Sequence, residues 1–423
     1  MKTLRDIRDE IYAKAKENQE MKFYSLRDKI CRVDTIREAW RIVSSNKGSP
    51  GIDGKTIEWI KEEGVDKFVQ EIVTKLKEDR YEVQNVKRVF IPKPDGKERP
   101  LGIPTVKDRV VQTAVKLIIE PIFEADFKDF SFGYRPNRSA RDASMQIYKW
   151  LNFGLTNVIE IDIKGFFDHI DHDLLIDLVM ERVTDGFVLR LLRKWLRAGV
   201  MFNGTTEYPQ EGTPQGGSIS PLLANIYLNS IDRTWVAEKM NTPKYNAQMV
   251  RYADDIVILT DREPSIAMNK IEEMIHSVKL SLNTEKSGIT DARNGFDFLG
   301  FNFTRRYYEK AGKHVTRIRP SKRSAERFRE KVKLILSLRR AHHSSQKDTI
   351  ARLNLLIMGW TNYFNHTQAS GTYHTLQAFL NWKLEKYYRR KHKIPRSYTH
   401  IVYNSLPKLG VIPLSGRISY VYP

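Results

Sequence analysis

The sequence predicts an α+β fold in which one sheet carries acidic residues on two separate strands, with helices behind it and a helical, basic C-terminal third. Three observations lead there. VIEIDI, residues 158–163, alternates in the strand manner, setting Ile159, Ile161 and Ile163 on one face and Glu160 and Asp162 on the other. RYADDIVILT, residues 251–260, puts Asp254 and Asp255 at the turn between an arriving strand, Met249 to Arg251, and the run Ile256 to Leu259, rich in β-branched residues. Beyond about residue 320 the pattern is helical throughout.

The remaining elements follow in order. Residues 3–30 and 34–45 read as charged amphipathic helices, followed by the loop SSNKGSPGIDGKT; helical periodicity returns in IEWIKEEGVDKFVQEIVTKLKEDR. In VKRVFIPKPDGKERPLGIP two short extended runs flank Pro-Asp-Gly, a strong turn signal. Helices are expected from about Lys107 to Phe127 and from about Ser139 to Leu151, and two more within 173–198. The glycine-rich turn EGTPQGGSISP leads into a helix ending ANIYL; a helix near 264–279 and strands near 296–304 come after the hairpin.

At 423 residues the chain exceeds the size at which one core stops growing, so two or three subdomains are expected, and 41% hydrophobic residues supply ample core. The start, MKTLRDIRDE, is charged, and no apolar run approaches the roughly 18 residues of a membrane helix. A soluble, cytoplasmic protein with no membrane partner is expected. The single cysteine, Cys31, excludes an internal disulfide and any site built from paired cysteines.

The net charge of +20 is confined to one region: residues 301–423 hold 25 Lys plus Arg against 5 Asp plus Glu, while residues 1–300 hold 46 of each sign. A basic run is often only a solvated face. Here aromatics interleave with the cations, in FNFTRRYYEK and LEKYYRRKHK, which suits a phosphate backbone and stacked bases. Nucleic acid is the expected partner.

Two aspartates at a turn need no chemistry of their own, since Asp favours turns. Asp162 changes the reading. It lies near the end of a strand whose other face is isoleucine, where an acid needs a partner or a metal. Chemistry on phosphates often uses two divalent ions, and hard oxygen ligands suit Mg²⁺.

IEIDIKGFFDHI, EGTPQGGSISPLLANIYL and RYADDIVIL, in this order, resemble the palm motifs of reverse transcriptases. SSNKGSPGIDGKT, IPKPDGKERPLGIPTVKDRVVQ and FGYRPNRSARDA are similar to the finger blocks of the group II intron class, FDFLGFNF to the strands closing the palm, and LNLLIMGWTNYF with LNWKLEKYYRRKH to the thumb or maturase region. The resemblance covers roughly residues 30–395. It implies a right-hand polymerase of fingers, palm with antiparallel sheet, and thumb, with a mainly helical, basic thumb/maturase region. Its parts would be an N-terminal helical extension (1–30), fingers (31–155), catalytic palm (156–305), thumb/maturase region (306–395) and a tail (396–423).

The resemblance implies that Asp162, Asp254 and Asp255 hold two Mg²⁺ ions, joined by the backbone carbonyl of Ile163. It further implies that Lys93 and Arg99 hold an incoming triphosphate, Phe167 lies under the sugar, Gln215 contacts the nucleotide, and Lys286 approaches the pyrophosphate. Read from the residues alone, Lys93 and Arg99 are cations of a solvated hairpin, Phe167 is core packing beside the more core-like Phe166, and Lys286 is an exposed lysine. Arg135 and Arg138 in YRPNRS read equally as nucleic-acid contacts or as capping and pairing residues. For RNA, the candidates are Arg389, Arg390, Lys391 and Lys393, which belong to a surface-like run, and Lys322, Arg323, Arg327 and Lys331 as the other path.

Two signals are declined. DHIDHD, residues 168–173, opens a helix where Asp is a favoured cap, so it is not read as a metal site. GSPGIDGKT lacks the glycine that a phosphate loop requires five residues before Gly54.

The reading is an RNA-directed DNA polymerase with RNA template, DNA primer and deoxynucleotide triphosphates, also binding structured group II intron RNA to assist splicing and mobility. With one cysteine the chain is expected to lack the endonuclease many members carry, and to take its primer end from elsewhere. The alternatives are an intron-free reverse transcriptase of repair or defence, and an RNA-binding splicing factor without polymerase activity.

Overall fold

Alternating apolar residues and strong turn formers build three small sheets, and amphipathic helices cover them. The computed structural model describes residues 2–92, 98–202, 205–208, 211–213, 216–337, 345–395, 397 and 409–414. The first sheet joins β1 (Val86–Pro92), β2 (Glu98–Ile103), β4 (Val200–Phe202) and β5 (Thr205–Glu207) in the order β2-β1-β4-β5. The second has the order β6-β7-β3-β8, with β3 Asn157–Asp162, β6 Gln248–Tyr252, β7 Asp255–Thr260 and β8 Gly288–Asp291. The third is β11-β10-β9, from β9 Phe296–Phe298, β10 Phe301–Tyr308 and β11 Lys313–Pro320.

The chain divides into two compact units. One comprises residues 1–139, 160–256 and 265–288. Its spine is α6 (Val106–Glu124), buried along nearly its whole length and packed by α1 (Leu4–Glu17) and α3 (Val33–Ser45). Thr105 caps α6 and also donates to the buried Asp108 carboxylate at 2.7 Å, as Tyr81 Oη does at 2.5 Å. This accounts for an acid near the start of a helix that is otherwise apolar on almost every side.

Helical expectations fail where the chain has a reason to break. The helix expected over 3–30 ends at Glu17, because the side-chain carbonyl oxygen of Asn18 takes the Glu20 N–H at 2.9 Å and turns the chain. The periodic run after residue 56 is split by Gly64, whose φ of +106° no helix interior accepts, into α4 (Ile57–Glu63) and α5 (Val65–Lys77). The extended runs around Pro-Asp-Gly pair antiparallel, Pro92 opposite Glu98; the turn itself lies outside the described residues.

The other unit comprises residues 140–159, 257–264 and 289–423. β10 and β11 pair from Phe301↔Pro320 to Tyr308↔Lys313, and α7 (Ala140–Asn152) packs against β11. Phe301 and Phe303 are fully buried among Phe296, Tyr363, Phe364 and His366. The helices α12 (Lys322–Ile335), Gln346–Phe364 and Ser370–Lys391 bear out the expected helical C-terminal region. Among the described residues, no helix is long and apolar enough to cross a membrane.

His366 sits in this aromatic core, Nε2 at 2.9 Å from Ser144 Oγ and Nδ1 buried without a partner. Burial, helped by the Arg141 charge and opposed by Asp142, pushes its pKa down to about 4. Its folded pKa lies below the unfolded value near 6.5, so the unfolded chain binds more protons between those values and stability falls as pH drops through the window. Urea denaturation should lose up to ~3 kcal/mol between pH 6.5 and 4 from this group, a loss that His366→Gln removes.

Candidate active site

The YADD hairpin stands on a buried charge. Arg251, fully buried, donates from Nε to both Asp232 oxygens at 2.9 and 3.1 Å. Its Nη1 donates to Asn225 Oδ1 at 3.0 Å and to the Ala253 carbonyl at 3.1 Å. Asp232 and Asn225 come from α10 (Ser220–Ala237). Ala253 holds φ +56°, the left-handed residue of the turn that sets Asp254 between β6 and β7 and Asp255 at the start of β7. Backbone closes the other side: Phe132 N–H donates to the Arg251 carbonyl at 2.9 Å and Arg251 N–H to the Phe130 carbonyl at 2.8 Å. Gly133 lies so close that a Cβ there would meet Ala253 N at 2.3 Å.

Asp162 ends β3, the strand next to β7. The segment LNTEKS wraps it: Asn283 N–H donates to its carbonyl at 2.8 Å, Asn283 Nδ2 to its Oδ2 at 2.9 Å, and Ser287 Oγ accepts the Asp162 N–H at 3.0 Å. Lys286 Nζ lies 3.6 Å from the same Oδ2. Lys286 stands among the residues expected from the sequence, whereas Asn283 and Ser287 do not. Their only signal there is their place on either side of the lysine.

Asp255 senses the other two acids. Crowding by protein, then the charges of Asp254 and Asp162, push Asp255 up to about 6, against the pull of Lys286. Asp255 still reaches solvent at the start of β7, so its crowding is local to the carboxyl. A set of like charges with oxygen donors only is the environment a hard divalent cation relieves. Among the described residues, no group of three or more His, Cys, Asp and Glu stands close enough together to hold an ion. The donor chemistry fits such a cation, with Asp162 already engaged by Asn283 and Lys286.

Phe166 is buried, edge-on to Tyr227, whereas Phe167 is half-buried and lines a cleft of about 280 Å³ with Arg88, Gly102 and Gly212. Lys93 and Gln215 lie outside the described residues, as does the side chain of Arg99; the Arg99 backbone pairs with Ile91 in the first sheet. Ile163 is buried and bridges Leu282. DHIDHD behaves as a helix start: Asp171 caps α8 (His172–Met180).

One nucleic-acid candidate is corrected. Arg135 is buried, its guanidinium spent on Glu124 and on the carbonyls of Lys128 and Ser131, so it supports the fold and presents no surface. Arg138 pairs with Asp129 at 2.9 Å. Arg390 and Lys393 are not buried, but Arg389 is drawn to Glu385 at 3.1 Å and Lys391 to the Tyr387 hydroxyl at 3.3 Å, so that run is only half surface. Lys322, Arg323, Arg327 and Lys331 all lie on α12, and none is buried. Among the described residues, no cation from Arg305 to Lys333 forms an ion pair.

Acids from two neighbouring strands, followed in the chain by a helical basic region, fit the palm of a right-hand polymerase fold. The profile of reverse transcriptases (RNA-dependent DNA polymerases) matches residues 91–303, and that of the group II intron maturase-specific domain matches residues 325–402. The chain belongs to the reverse transcriptase family. It is similar to the group II intron-encoded protein LtrA of Lactococcus lactis subsp. cremoris, 31% identical over 383 residues, which cover 88% of this chain and 61% of that protein. Protein YkfC of Escherichia coli is 34% identical over 313 residues, 66% of this chain and 82% of YkfC. A putative COX1/OXI3 intron 2 protein of Saccharomyces cerevisiae is 27% identical over 328 residues, 64% of this chain and 38% of that protein.

Removing one partner of the buried pair strands the other. Asp232→Ala should destabilise the protein by ~3–5 kcal/mol, measured by chemical denaturation, whereas replacing Arg251 and Asp232 together by Met and Leu should cost markedly less.

Proposed function

We propose that this chain is an RNA-directed DNA polymerase that adds deoxynucleotides to a primer 3′ end on an RNA template, and that it also binds structured group II intron RNA. The observation that carries the reading is that Asp162 ends β3 while Asp255 opens the neighbouring strand β7 next to Asp254, with Asp255 close enough to feel the charges of both other acids. The reaction is in-line attack of the primer 3′-hydroxyl on the α-phosphate, with catalysis from positioning and charge stabilisation. Asp162, Asp254, Asp255 and the Ile163 carbonyl would hold two Mg²⁺ ions, which when bound neutralise charge on the reacting phosphate. Lys286, exposed beside Asp162, offers a cation to the departing pyrophosphate, a role Lys93 and Arg99 share in this reading. Phe167 flanks the sugar and Gln215 the nucleotide.

The cations of α12, which have no carboxylate partner among the described residues, support an RNA surface, with Arg390 and Lys393 in the same basic region. Neutralising Lys322, Arg323, Arg327 and Lys331 together should lower RNA affinity, and the log–log salt slope should fall by about 0.7–0.9 for each phosphate that is no longer neutralised. An unchanged slope in a filter-binding titration would return these residues to a solvated face.

Asp254→Asn and Asp162→Asn should each abolish primer extension on an RNA template with Mg²⁺ while RNA affinity in a gel shift stays nearly intact. Full extension by either variant sinks the site assignment. Phe167→Val should raise ribonucleotide incorporation relative to deoxynucleotide, within the roughly 10²-fold that steric rejection of one hydroxyl allows.

A further inference from the structure

The two histidines of DHIDHD take no part in the metal reading, yet both reach the same short segment. His172 Nε2 lies 2.6 Å from the Gly212 carbonyl, so it carries the proton and donates. Gly212 N–H donates to the Ile170 carbonyl at 2.8 Å, and Thr213 N–H donates to the carbonyl of Phe167, also at 2.8 Å. His169 Nδ1 meets Glu211 Oε1 at 3.1 Å, though both are solvated and that interaction is weak. Residues 211–213 thus form a strap across the turn that carries Phe167. Its far end is tied as well, Thr213 Oγ1 donating to Ser220 Oγ at 2.9 Å where α10 begins.

Gly212 packs tightly against the turn. Gly212 holds φ +86°, and a Cβ there would meet the Asp168 carbonyl oxygen at 2.8 Å and that of Phe167 at 2.9 Å. Phe167, Asp168, Glu211, Gly212 and Thr213 all line the 280 Å³ cleft, so the strap forms one wall and the aromatic ring another. The backbone of Phe167 is held from the strap by one bond, and the strap is held from α8 by His172. Without the imidazole donor, the Gly212 carbonyl loses its one partner among the described residues, and the tie between the strap and α8 is lost.

We propose that His172 is a positioning residue that sets the width of the cleft beside Phe167 and so governs nucleotide affinity and sugar discrimination. The proposal rests on the reading of Phe167 as the residue under the sugar. It acts through backbone: His172 fixes Gly212, Gly212 fixes the spacing to Ile170 and Phe167, and the ring follows its own carbonyl.

Single-nucleotide incorporation by the full chain, with Mg²⁺ and paired deoxy- and ribonucleotides, tests it. His172→Leu should raise KM for the deoxynucleotide roughly threefold to tenfold, the worth of one hydrogen bond, and increase the ribonucleotide share, with kcat near the parent value. His172→Gln, whose amide places a donor near the Nε2 position, should restore both. Gly212→Ala reaches the same strap independently and should reproduce the His172→Leu phenotype, which covers the case in which the leucine variant does not fold. A folded His172→Leu protein with unchanged KM and unchanged sugar ratio overturns the proposal, as does a leucine phenotype that glutamine fails to rescue. Phe167→Val, measured alongside, separates the two ideas. If it alone alters the sugar ratio, the strap inference falls and the sugar reading stands; if Phe167→Val leaves the ratio unchanged, the sugar reading falls and the strap inference with it.

Discussion

The YADD hairpin hangs on one guanidinium with no access to water. Arg251 spends its donors on Asp232, Asn225 and the Ala253 carbonyl, and each has a structural consequence. Asp232 makes the charge tolerable. Asn225 links the guanidinium to the Gly133 carbonyl through Nδ2 at 2.7 Å, and the Ala253 bond fixes the left-handed turn beneath the aspartates. A lysine would keep the charge but not the planar fork that reaches three groups at once.

This constraint is hidden in the sequence because it is made of ordinary letters. Arg251 stands at the end of the arriving strand, and nothing in LLANIYLNSIDRTW marks Asn225 or Asp232 as its partners. Burial of a polar side chain is a tertiary fact; periodicity shows which face is apolar, not which polar residue turns inward. By contrast, Asp162, Asp254 and Asp255 are legible because apolar strands frame them, and their order among the other blocks matches a family. The helices α6, which starts behind its Thr105 cap, and α7 fall close to expectation. The β4–β5 pair has no such signal, since three-residue strands carry no period.

Misreadings of charge have a similar origin. YRPNRS leaves Arg135 open between a phosphate contact and a pairing role, and Glu124, eleven residues away, decides it. KYYRRKHK reads as a uniform surface, yet helical spacing turns Arg389 back onto Glu385 one turn earlier. Composition reports how many cations a region holds; only geometry reports how many already have a carboxylate.

That difference reaches beyond recognition. Cations of the first unit, such as Arg182 and Arg233, are matched to acids, while from Arg305 to Lys333 the described chain offers no such pair. Like charges on one hairpin and the helix after it repel, and the folded state bears that cost alone whenever no polyanion is near. Any ligand that discharges the repulsion binds the folded form preferentially, and its binding energy adds to the folding equilibrium of that region. A polyanion bound there would therefore stabilise the region beyond what its aromatic core supplies, and added salt would ease the same repulsion.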